Sequence, residues 1–179
     1  MVSLGRNDLS GGRIMYQRIM VCYDGSATAK HAIEQAQAMA VGAVHSEIHI
    51  LHVINERPSD TIEPSVLSGE TRLMRDAGAR LLMSARSLLA RFDGKISTQL
   101  DVVLGANLCD VICEHPVMWG ADVIVIGTHG RRGARHDYLG SDAEQVLNRS
   151  SVPVLLVRPQ TIDESGYDSS LPTLRRLAA

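Results

Sequence analysis

The sequence predicts an α/β fold in which helices cover a doubly wound, five-stranded parallel sheet. Segments with the character of strands alternate along the chain with segments of helical periodicity, which is the order of a parallel sheet with helical crossovers. The unbroken apolar run of residues 123–126 is typical of a strand that is buried on both faces. Because such crossovers are right-handed, the topology is limited to a doubly wound sheet.

Length and composition bound the possible functions. With 179 residues, the chain is long enough for one domain with a full core, which must be aliphatic because there is one Phe and one Trp. Its 18 basic and 20 acidic side chains give a formal net charge of −2, so nothing suggests the basic face that nucleic acid requires. No apolar run approaches the roughly 20 residues of a membrane-spanning helix. We therefore expect neither nucleic acid nor membrane as a partner.

The two ends of the chain differ in composition from its middle. Residues 1–14 are rich in Gly and Ser and lack the apolar core of a secretory signal, which predicts a flexible N-terminal arm and a cytoplasmic protein. From residue 160 the composition becomes polar, which predicts a C-terminal tail over 160–179. The folded domain is expected over residues 15–159.

The first strand and helix follow directly from the pattern. The strand is predicted over 18–23 and is stopped at Asp24, which precedes a glycine. Either Ser26 or Thr28 caps the amphipathic helix that follows and runs to about Ala40.

The second strand is predicted over 47–54 and carries two histidines. An offset of three residues places His49 and His52 on opposite faces of a strand, so they cannot bind one metal ion. Two ordinary strand histidines are the simpler interpretation. Residues 55–69 contain two prolines and no periodicity, which predicts a long surface loop, either a lid over a ligand or a variable connection.

A second helix, a third strand and a third helix are predicted next. The helix runs to about residue 92 with an apolar face at Met74, Ala77, Leu81, Ala85 and Leu88. The strand covers 97–104, and Asn107 caps the helix that follows. Pro116 should bend or stop this third helix, because it cannot donate a backbone hydrogen bond. We interpret His115 as a packing or surface residue rather than a catalytic one.

The three cysteines are an odd number without metal-type spacing. Cys109 and Cys113 lie four residues apart, on one face of the third helix. Buried structural thiols are the favoured interpretation, with a redox pair as the alternative.

Glycines and arginines follow the apolar run of 123–126. They are Gly127, Gly130 and Gly140, with Arg131, Arg132 and Arg135 between them. At the glycines the backbone can adopt left-handed conformations or approach a ligand closely. The arginines can neutralise an anion, or they belong to a solvated loop.

A fourth helix is predicted to begin at this loop. Ser141 stands three residues before Glu144, the pattern of a reciprocal cap, with Val146 and Leu147 on the apolar side of the helix. The amides of residues 140–143 can point at an anion and the helix dipole favours it, so strand, glycine loop and helix together predict an anion-binding site.

The last strand is predicted over 154–157. Pro153 precedes it, which favours a position at the margin of the sheet. An exposed apolar edge promotes aggregation. Pairing with a second copy of the chain removes that hazard and produces a symmetric dimer.

The spacing of Gly127, Gly130 and Gly140-Ser141 resembles the ATP-binding signature of the universal stress protein family. Asp24-Gly25-Ser26, Leu51-His52-Val53 and the last strand resemble the family in the same order. The resemblance covers about four-fifths of the chain. It implies an adenine nucleotide alpha hydrolase-like fold with strand order 3-2-1-4-5, and a homodimer formed through Val154–Val157.

The resemblance also implies a site for ATP, with Mg²⁺ or Mn²⁺ bound through the phosphates. Adenine would lie near Val53, the ribose or phosphates near Asp24, and the triphosphate along the glycine loop. Asp24 can equally be a turn residue. The candidate residues are Tyr23, Asp24, Val53, Ile126, Gly127, Gly130, Arg131, Arg132, Gly140, Ser141, Asp142 and Ala143.

Asp142 departs from the family pattern, in which an apolar residue is usual. A carboxylate in the first helical turn favours the helix dipole but repels a triphosphate. Either a divalent cation bridges the two, or ATP binds more weakly.

Motifs for other chemistry are absent from the sequence, which contains neither a P-loop, nor a dinucleotide fingerprint, nor a hydrolase or zinc-protease signature. No catalytic residue is therefore predicted. The leading hypothesis is an ATP-binding, dimeric regulatory module of the stress response. The alternatives are a slow ATPase or self-phosphorylating enzyme that uses His129, His136 or Ser141, and a nucleotide-free dimerisation partner.

Overall fold

Five parallel strands form one sheet in the order β3-β2-β1-β4-β5, which confirms the predicted fold class and strand order. The computed structural model of the chain describes residues 16–43, 45–56, 64–105, 107–130 and 139–158. The strands are β1 (Arg18–Cys22), β2 (Glu47–Glu56), β3 (Lys95–Leu104), β4 (Val123–Gly127) and β5 (Val154–Val157). The helices are α1 (Ala27–Ala40), α2 (Pro64–Leu88), α3 (Leu108–Trp119) and α4 (Ser141–Arg149).

The sheet separates two apolar cores. One is formed with α1 and α2, the other with α3 and α4. Strand β4 serves both, because Val123 and Val125 belong to the first core and Ile124 and Ile126 to the second. All four side chains are buried, as the unbroken apolar run predicted.

The strand order reverses between β1 and β4. These two strands pair in register, with Ile19 beside Val123 and Val21 beside Val125. Helices therefore leave in opposite directions at their carboxyl ends, which leaves a crevice there, where ligands of doubly wound sheets bind.

The connection between β2 and α2 differs from the predicted loop of 55–69. Asn55 and Glu56 continue β2, because the ladder with β3 extends to the pair Glu56–Leu104. Pro64 begins α2, where its missing N–H costs nothing since the first amides of a helix have no partner inside the helix. The prediction of one long loop was wrong at both ends; residues 57–63 lie outside the described part of the chain.

The buried face of α2 agrees with the predicted one only in part. Ala85 is buried and Leu81 packs against the first core, as predicted, but Gly78 and Leu82 are buried too, whereas Met74 is 41% exposed and Leu88 is 44% exposed. A Cβ at Gly78 would lie 2.8 Å from the Leu100 side chain of β3. The glycine lets α2 approach the sheet closely.

One alternative from the sequence was that α3 stops at Pro116, and this alternative is wrong. Asn107 caps its start as expected, since its side chain accepts a hydrogen bond from the Cys109 amide at 3.1 Å. The helix continues beyond the buried Pro116 and ends at Gly120, which has a φ of 75°. The Gly120 amide donates to the carbonyl of Pro116 at 2.9 Å.

The cysteines are free thiols whose surroundings fit the structural interpretation. Cys109 is buried, and its sulfur lies 3.6 Å from that of Cys113. Burial raises the pKa of Cys113 to about 11 and that of Cys22 to about 12. Because the thiolate is the reactive form, these pKa values disfavour a redox pair.

The margin of the sheet is occupied by β5, as predicted, next to β4. In the part of the chain that the structure describes, every helix is too short or too polar to cross a bilayer.

Candidate functional site

The carboxyl ends of β1 and β4 open into a cleft of about 950 Å³, which β2, α3 and α4 also line. Every predicted site residue that the structure describes lies on its wall: Tyr23, Asp24, Val53, Ile126, Gly127, Gly130, Gly140, Ser141, Asp142 and Ala143. The remaining two, Arg131 and Arg132, lie outside the described residues, as do Arg135 and His136. The topology thus gathers residues that are more than a hundred positions apart in the chain.

Asp24 lines the cleft and is also a turn residue. Its Oδ1 accepts a hydrogen bond from the Ser26 amide at 3.0 Å. Ser26 in turn is the N-cap of α1 and accepts from the Ala29 amide at 3.2 Å. The two interpretations of Asp24 are therefore compatible, because the turn holds one carboxylate oxygen while the residue faces the cleft.

Thr28, the other candidate for this cap, has a different contact. Its hydroxyl donates to the carbonyl of His129, which ties the first turn of α1 to the loop after β4. This bond helps to hold the two sides of the cleft at a fixed separation.

The glycines of the loop do not adopt the left-handed conformations that the sequence allowed. The positive φ angles of described glycines belong to Gly25, Gly42, Gly105 and Gly120. Space is the reason for the loop glycines instead. A Cβ at Gly127 would lie 2.7 Å from the Thr28 hydroxyl, and one at Gly130 would lie 2.8 Å from Asp24 Oδ2. Both distances are far below van der Waals contact, so side chains here would push the walls of the cleft apart.

The start of α4 corrects the predicted cap. Gly140, not Ser141, is the N-cap, and no side chain accepts a hydrogen bond there. The Gly140 amide donates to the Thr128 carbonyl at 2.8 Å, which fixes the helix start to the end of β4. Gly140 therefore cannot offer its amide to an anion, contrary to the expectation.

Three amides remain at this helix N-terminus. Glu144 is the first residue of α4 whose amide bonds within the helix, to the Gly140 carbonyl at 2.9 Å. The amides of Ser141, Asp142 and Ala143 therefore have no partner inside the helix. All three residues line the cleft, so the positive end of the helix dipole lies at its wall.

The described charges on the cleft wall are acidic. Asp24 and Asp142 contribute carboxylates, and none of the lining residues that the structure describes is Lys or Arg. Burial, followed by the charge of Asp24, raises the pKa of the Tyr23 phenol, which stays neutral and protonated. An anion in this cleft would meet helix amides and two carboxylates together.

Comparison with known proteins identifies the family to which this chain belongs. The model of the universal stress protein family matches residues 15–158. This chain belongs to the universal stress protein family. It is similar to a universal stress protein of Methanocaldococcus jannaschii, with 30% identity over 156 residues that cover 84% of this chain and 86% of that protein.

Solved structures of the family share the fold. One, from Burkholderia pseudomallei, is 28% identical with a TM-score of 0.64 and covers 83% of this chain and 99% of its own. Another is a universal stress protein in complex with cAMP, 24% identical with a TM-score of 0.58, which covers 82% of this chain and 99% of its own.

Some lining residues of this family member were not among the predicted ones. Leu108 and Ile112 of α3 form an apolar wall together with Leu51 and Ile126. No local signal marks the α3 residues, because their position depends on how α3 packs on the sheet. His52 also lines the cleft, and its place beside the predicted site residue Val53 on β2 was a signal that could have found it.

His52 is fixed by a hydrogen bond to the backbone. Its Nδ1 lies 2.7 Å from the Tyr23 carbonyl. Because a carbonyl oxygen only accepts hydrogen bonds, Nδ1 carries the proton. The bond links the residue that follows β1 to the middle of β2, beside the cleft.

Proposed function

We propose that the cleft binds an adenine nucleotide and that this nucleotide is ATP. Its phosphates would lie at the N-terminus of α4 and its base against the apolar wall. The observation that carries this proposal is that a helix N-terminus and an apolar wall line the same cleft of about 950 Å³. Sites for small molecules typically enclose about 300–1,000 Å³ and combine apolar walls with a few polar groups.

The phosphate end of the proposed site is formed by backbone. The amides of Ser141, Asp142 and Ala143 lie at the positive end of the α4 dipole, which attracts phosphate. Gly127 and Gly130 keep side chains away from this end of the cleft. On the evidence of the sequence alone, Arg131 and Arg132 are proposed to neutralise the phosphates.

The base end is apolar. Leu51, Leu108, Ile112 and Ile126 offer a surface for a flat aromatic base, and Val53 of β2 lies beside it. Backbone groups of Val53 are proposed to hold the adenine edge, as the family resemblance implies. A universal stress protein of the same fold was solved with cAMP, which supports an adenine nucleotide as the ligand class.

A divalent cation, Mg²⁺ or Mn²⁺, is proposed to accompany the phosphates. Such cations take oxygen ligands, and carboxylates together with substrate phosphates are their usual partners. The donors fit, because Asp24 and Asp142 bring two carboxylates to the wall. The cation would screen Asp142 from the phosphates and so resolve the conflict that this residue creates.

We further propose a homodimer through β5 and a regulatory role in the stress response of the cytoplasm. Strand β5 is an edge strand in which Val154, Leu155 and Leu156 are half-buried. Pairing of this edge with its copy would cover both edges under two-fold symmetry. The free thiols favour a reducing compartment.

Isothermal titration with ATP, AMP and cAMP, each with and without Mg²⁺, tests the nucleotide proposal. We expect ATP with Mg²⁺ to bind and to raise the melting temperature, since a ligand at a hundred times its Kd adds about 2.7 kcal/mol of stability. Absence of any heat and of any thermal shift at millimolar nucleotide would overturn it. If AMP or cAMP bound and ATP did not, an adenine nucleotide would remain the ligand class, but the proposal that the ligand is ATP would be wrong.

A matched pair of variants locates the phosphates. Ser141→Asp places a carboxylate at the first residue of α4, where the dipole tolerates it but phosphate is repelled. Asn148→Asp makes the same charge change on the exposed side of the same helix, away from the cleft. We expect ATP affinity to fall at least about tenfold in Ser141→Asp only; equal affinities in both variants would place the phosphates elsewhere.

A further inference from the structure

Two of the three cysteines meet on α3 through their sulfur atoms. Cys109 and Cys113 are four residues apart, on one side of the helix, and both are free thiols. Their Sγ atoms lie 3.6 Å apart. A disulfide would require a separation of about 2.05 Å, so the two sulfurs are close together but not bonded. We call Cys109 and Cys113 the dithiol.

The fold holds the dithiol in this arrangement. The side chain of Asn107 caps α3, because it accepts a hydrogen bond from the Cys109 amide at 3.1 Å. Cys109 is buried in the second core, and Cys113 packs against the same core. A ligand that needs both sulfurs therefore meets them already in place, and little conformational freedom has to be lost when it binds.

The dithiol lies near the surface where α3 meets the end of α4. Cys113 is only partly buried. The Arg149 side chain of α4, which is half exposed, pairs with Asp110 of α3. It also lies close enough to Cys109 and Cys113 for its charge to interact with both thiols. A solute would therefore meet Cys113 first, beside an ion pair at the surface, and Cys109 directly behind it.

The separation of the two sulfurs suits binding to a single atom. Two sulfurs bound to one tetrahedral Zn²⁺ ion, with Zn–S bonds of about 2.3 Å, lie about 3.8 Å apart. The dithiol, at 3.6 Å, is close to this span. Arsenic in its trivalent state forms bonds to sulfur of similar length. Such an atom can bind both cysteines with little movement of either side chain.

The number of available ligands decides which kind of atom fits. A structural Zn²⁺ ion takes four ligands, whereas in the described part of the chain no group of three His, Cys, Asp or Glu side chains could hold a metal ion. Trivalent arsenic that carries one organic group needs only two further ligands, and as a soft centre it prefers sulfur to oxygen. The dithiol supplies both of them.

We propose that Cys109 and Cys113 form a binding site for trivalent organoarsenicals, compounds in which arsenic carries one organic group and two hydroxyl groups. One bond forms between arsenic and each Sγ, and the two bonds from arsenic to the hydroxyl oxygens break. The proton of each thiol leaves with one hydroxyl group as water. Two water molecules are thus released, and no atom changes its oxidation state.

Thiols that keep their protons are suited to this exchange. Burial, followed by the hydrogen bond with Cys109, raises the pKa of Cys113 to about 11. Such a thiol is slow in reactions that need a free thiolate, including oxidation to a disulfide. In the exchange each proton is consumed by a departing hydroxyl group, so a high pKa does not oppose the binding equilibrium.

Binding at the dithiol is expected to stabilise α3 beside the cleft. Leu108 and Ile112, each one residue before a cysteine of the dithiol, line the cleft. The bound arsenic would link successive turns of α3, and a ligand of the folded state raises the melting temperature. Because Cys109 and Cys113 are not among the described residues of the cleft wall, the proposal does not depend on the nucleotide.

Phenylarsine oxide, whose hydrate carries the two hydroxyl groups, is the probe. The reduced wild-type protein is mixed with it in the presence of excess 2-mercaptoethanol, a monothiol, and the adduct is counted by native mass spectrometry. We expect one probe per chain, the loss of two titratable thiols, and release of the probe by 1,2-ethanedithiol. Absence of an adduct under these conditions would overturn the proposal.

Three matched variants assign the sulfurs. Cys109→Ala and Cys113→Ala each leave one thiol of the dithiol, so affinity should fall at least about a hundredfold, the lower end of the gain from two linked contacts. Cys22→Ala removes the third thiol, which lies on the cleft wall, and should bind the probe as the wild type does. Unchanged binding in Cys113→Ala, or lost binding in Cys22→Ala, would contradict the assignment.

Peptide mapping of the wild-type adduct decides if the alanine variants fail to fold. No Lys or Arg occurs between residues 96 and 130, so trypsin leaves Cys109 and Cys113 in one peptide and Cys22 in another. We expect the arsenic on the single peptide that contains the dithiol. An adduct that joins the peptide of Cys22 to that of Cys113 would show that a different pair binds the probe.

Discussion

The cleft and the histidine network, which consists of Glu47, His49, Ser97, Asp101 and His115, are two polar regions that share β2 and α3. Their polar groups face different partners. In the cleft, the first amides of α4 and the carboxylate of Asp142 lie along an open wall. In the network, Ser97, His49 and His115 face one another, and Trp119 covers them. Groups directed at open space can bind a ligand, whereas groups bonded to each other hold α3 on the sheet.

Successive side chains of β2 point to opposite faces of the sheet, so its two histidines lie on different faces. His49, Leu51 and Val53 lie on the face of α3, where Leu51 and Val53 belong to the second core. His52 lies on the other face, where its ring is 3.3 Å from the position of a Cβ at Gly78 of α2. The prediction that His49 and His52 could not share a metal ion is thus confirmed by their opposite directions.

The largest expected effect on stability comes from a substitution in the cleft that leaves the histidine network unchanged. In Gly127→Val the new side chain overlaps Thr28, whose hydroxyl lies 2.7 Å from the Cβ position and whose backbone carbon lies 3.2 Å from it. We expect a loss of about 3 kcal/mol in the free energy of unfolding, at the upper end for overpacking. Chemical denaturation measures it.

A smaller side chain at the same position controls for this clash. In Gly127→Ala the Cβ alone would lie 2.7 Å from the Thr28 hydroxyl and 2.9 Å from Thr28 Cβ, so we expect a loss of stability that is smaller than in Gly127→Val. If Gly127→Ala were as stable as the wild type, the steric argument for this glycine would be wrong.

A smaller effect is expected from the network alone. Asp101→Asn keeps the shape of the side chain but removes the carboxylate that lies 3.5 Å from His115 Nδ1 and accepts a hydrogen bond from Gln99. We expect a loss of about 1 kcal/mol in the free energy of unfolding at pH 7, the size of one ordinary hydrogen bond, measured by chemical denaturation. Because Asp101 is not a cleft residue, ATP affinity should change little. A large loss of affinity with unchanged stability would mean that the two regions are one site.

The smallest expected effect concerns the charge at the cleft wall. Asp142→Asn removes the carboxylate beside the proposed phosphate position, so ATP affinity without Mg²⁺ should rise about threefold to fivefold, as expected for about 0.6–1 kcal/mol at a helix terminus. The gain should shrink with Mg²⁺, which already screens the carboxylate. Calorimetry measures both.

Glu144→Gln is the matched control for this charge. Glu144 is exposed on the same helix and is not on the described cleft wall. An equal gain in affinity from Glu144→Gln would indicate a general effect of net charge instead of a local one.

Where the prediction of the site succeeded, the information was local or topological. The apolar run of 123–126 required burial on both faces, and the alternation of elements required a parallel sheet. The family resemblance supplied the strand order that places the end of β1 next to the end of β4. Asp24 and Gly127, at those two ends, were therefore expected to meet, and both line the cleft. Whether they bind a nucleotide stays a prediction.

The failures have a common physical origin. Ser141 has the side chain of a cap, but the bond from the Gly140 amide to the Thr128 carbonyl moved the helix start by one residue. The loop glycines were expected for their backbone freedom, but contacts with Thr28 and Asp24 are what exclude a side chain. In each case a partner distant in the chain decided the outcome.

The amino-acid pattern alone determined the class of the fold, the edge of the sheet at which a site forms and the residue types that meet there. Those features depend on period, glycine placement and handedness, which are properties of short segments. The tertiary structure decided which amides line the cleft and which histidines touch. Such contacts arise between side chains 66 positions apart, as for His49 and His115, and only the packing of α3 on the sheet brings them within hydrogen-bond distance.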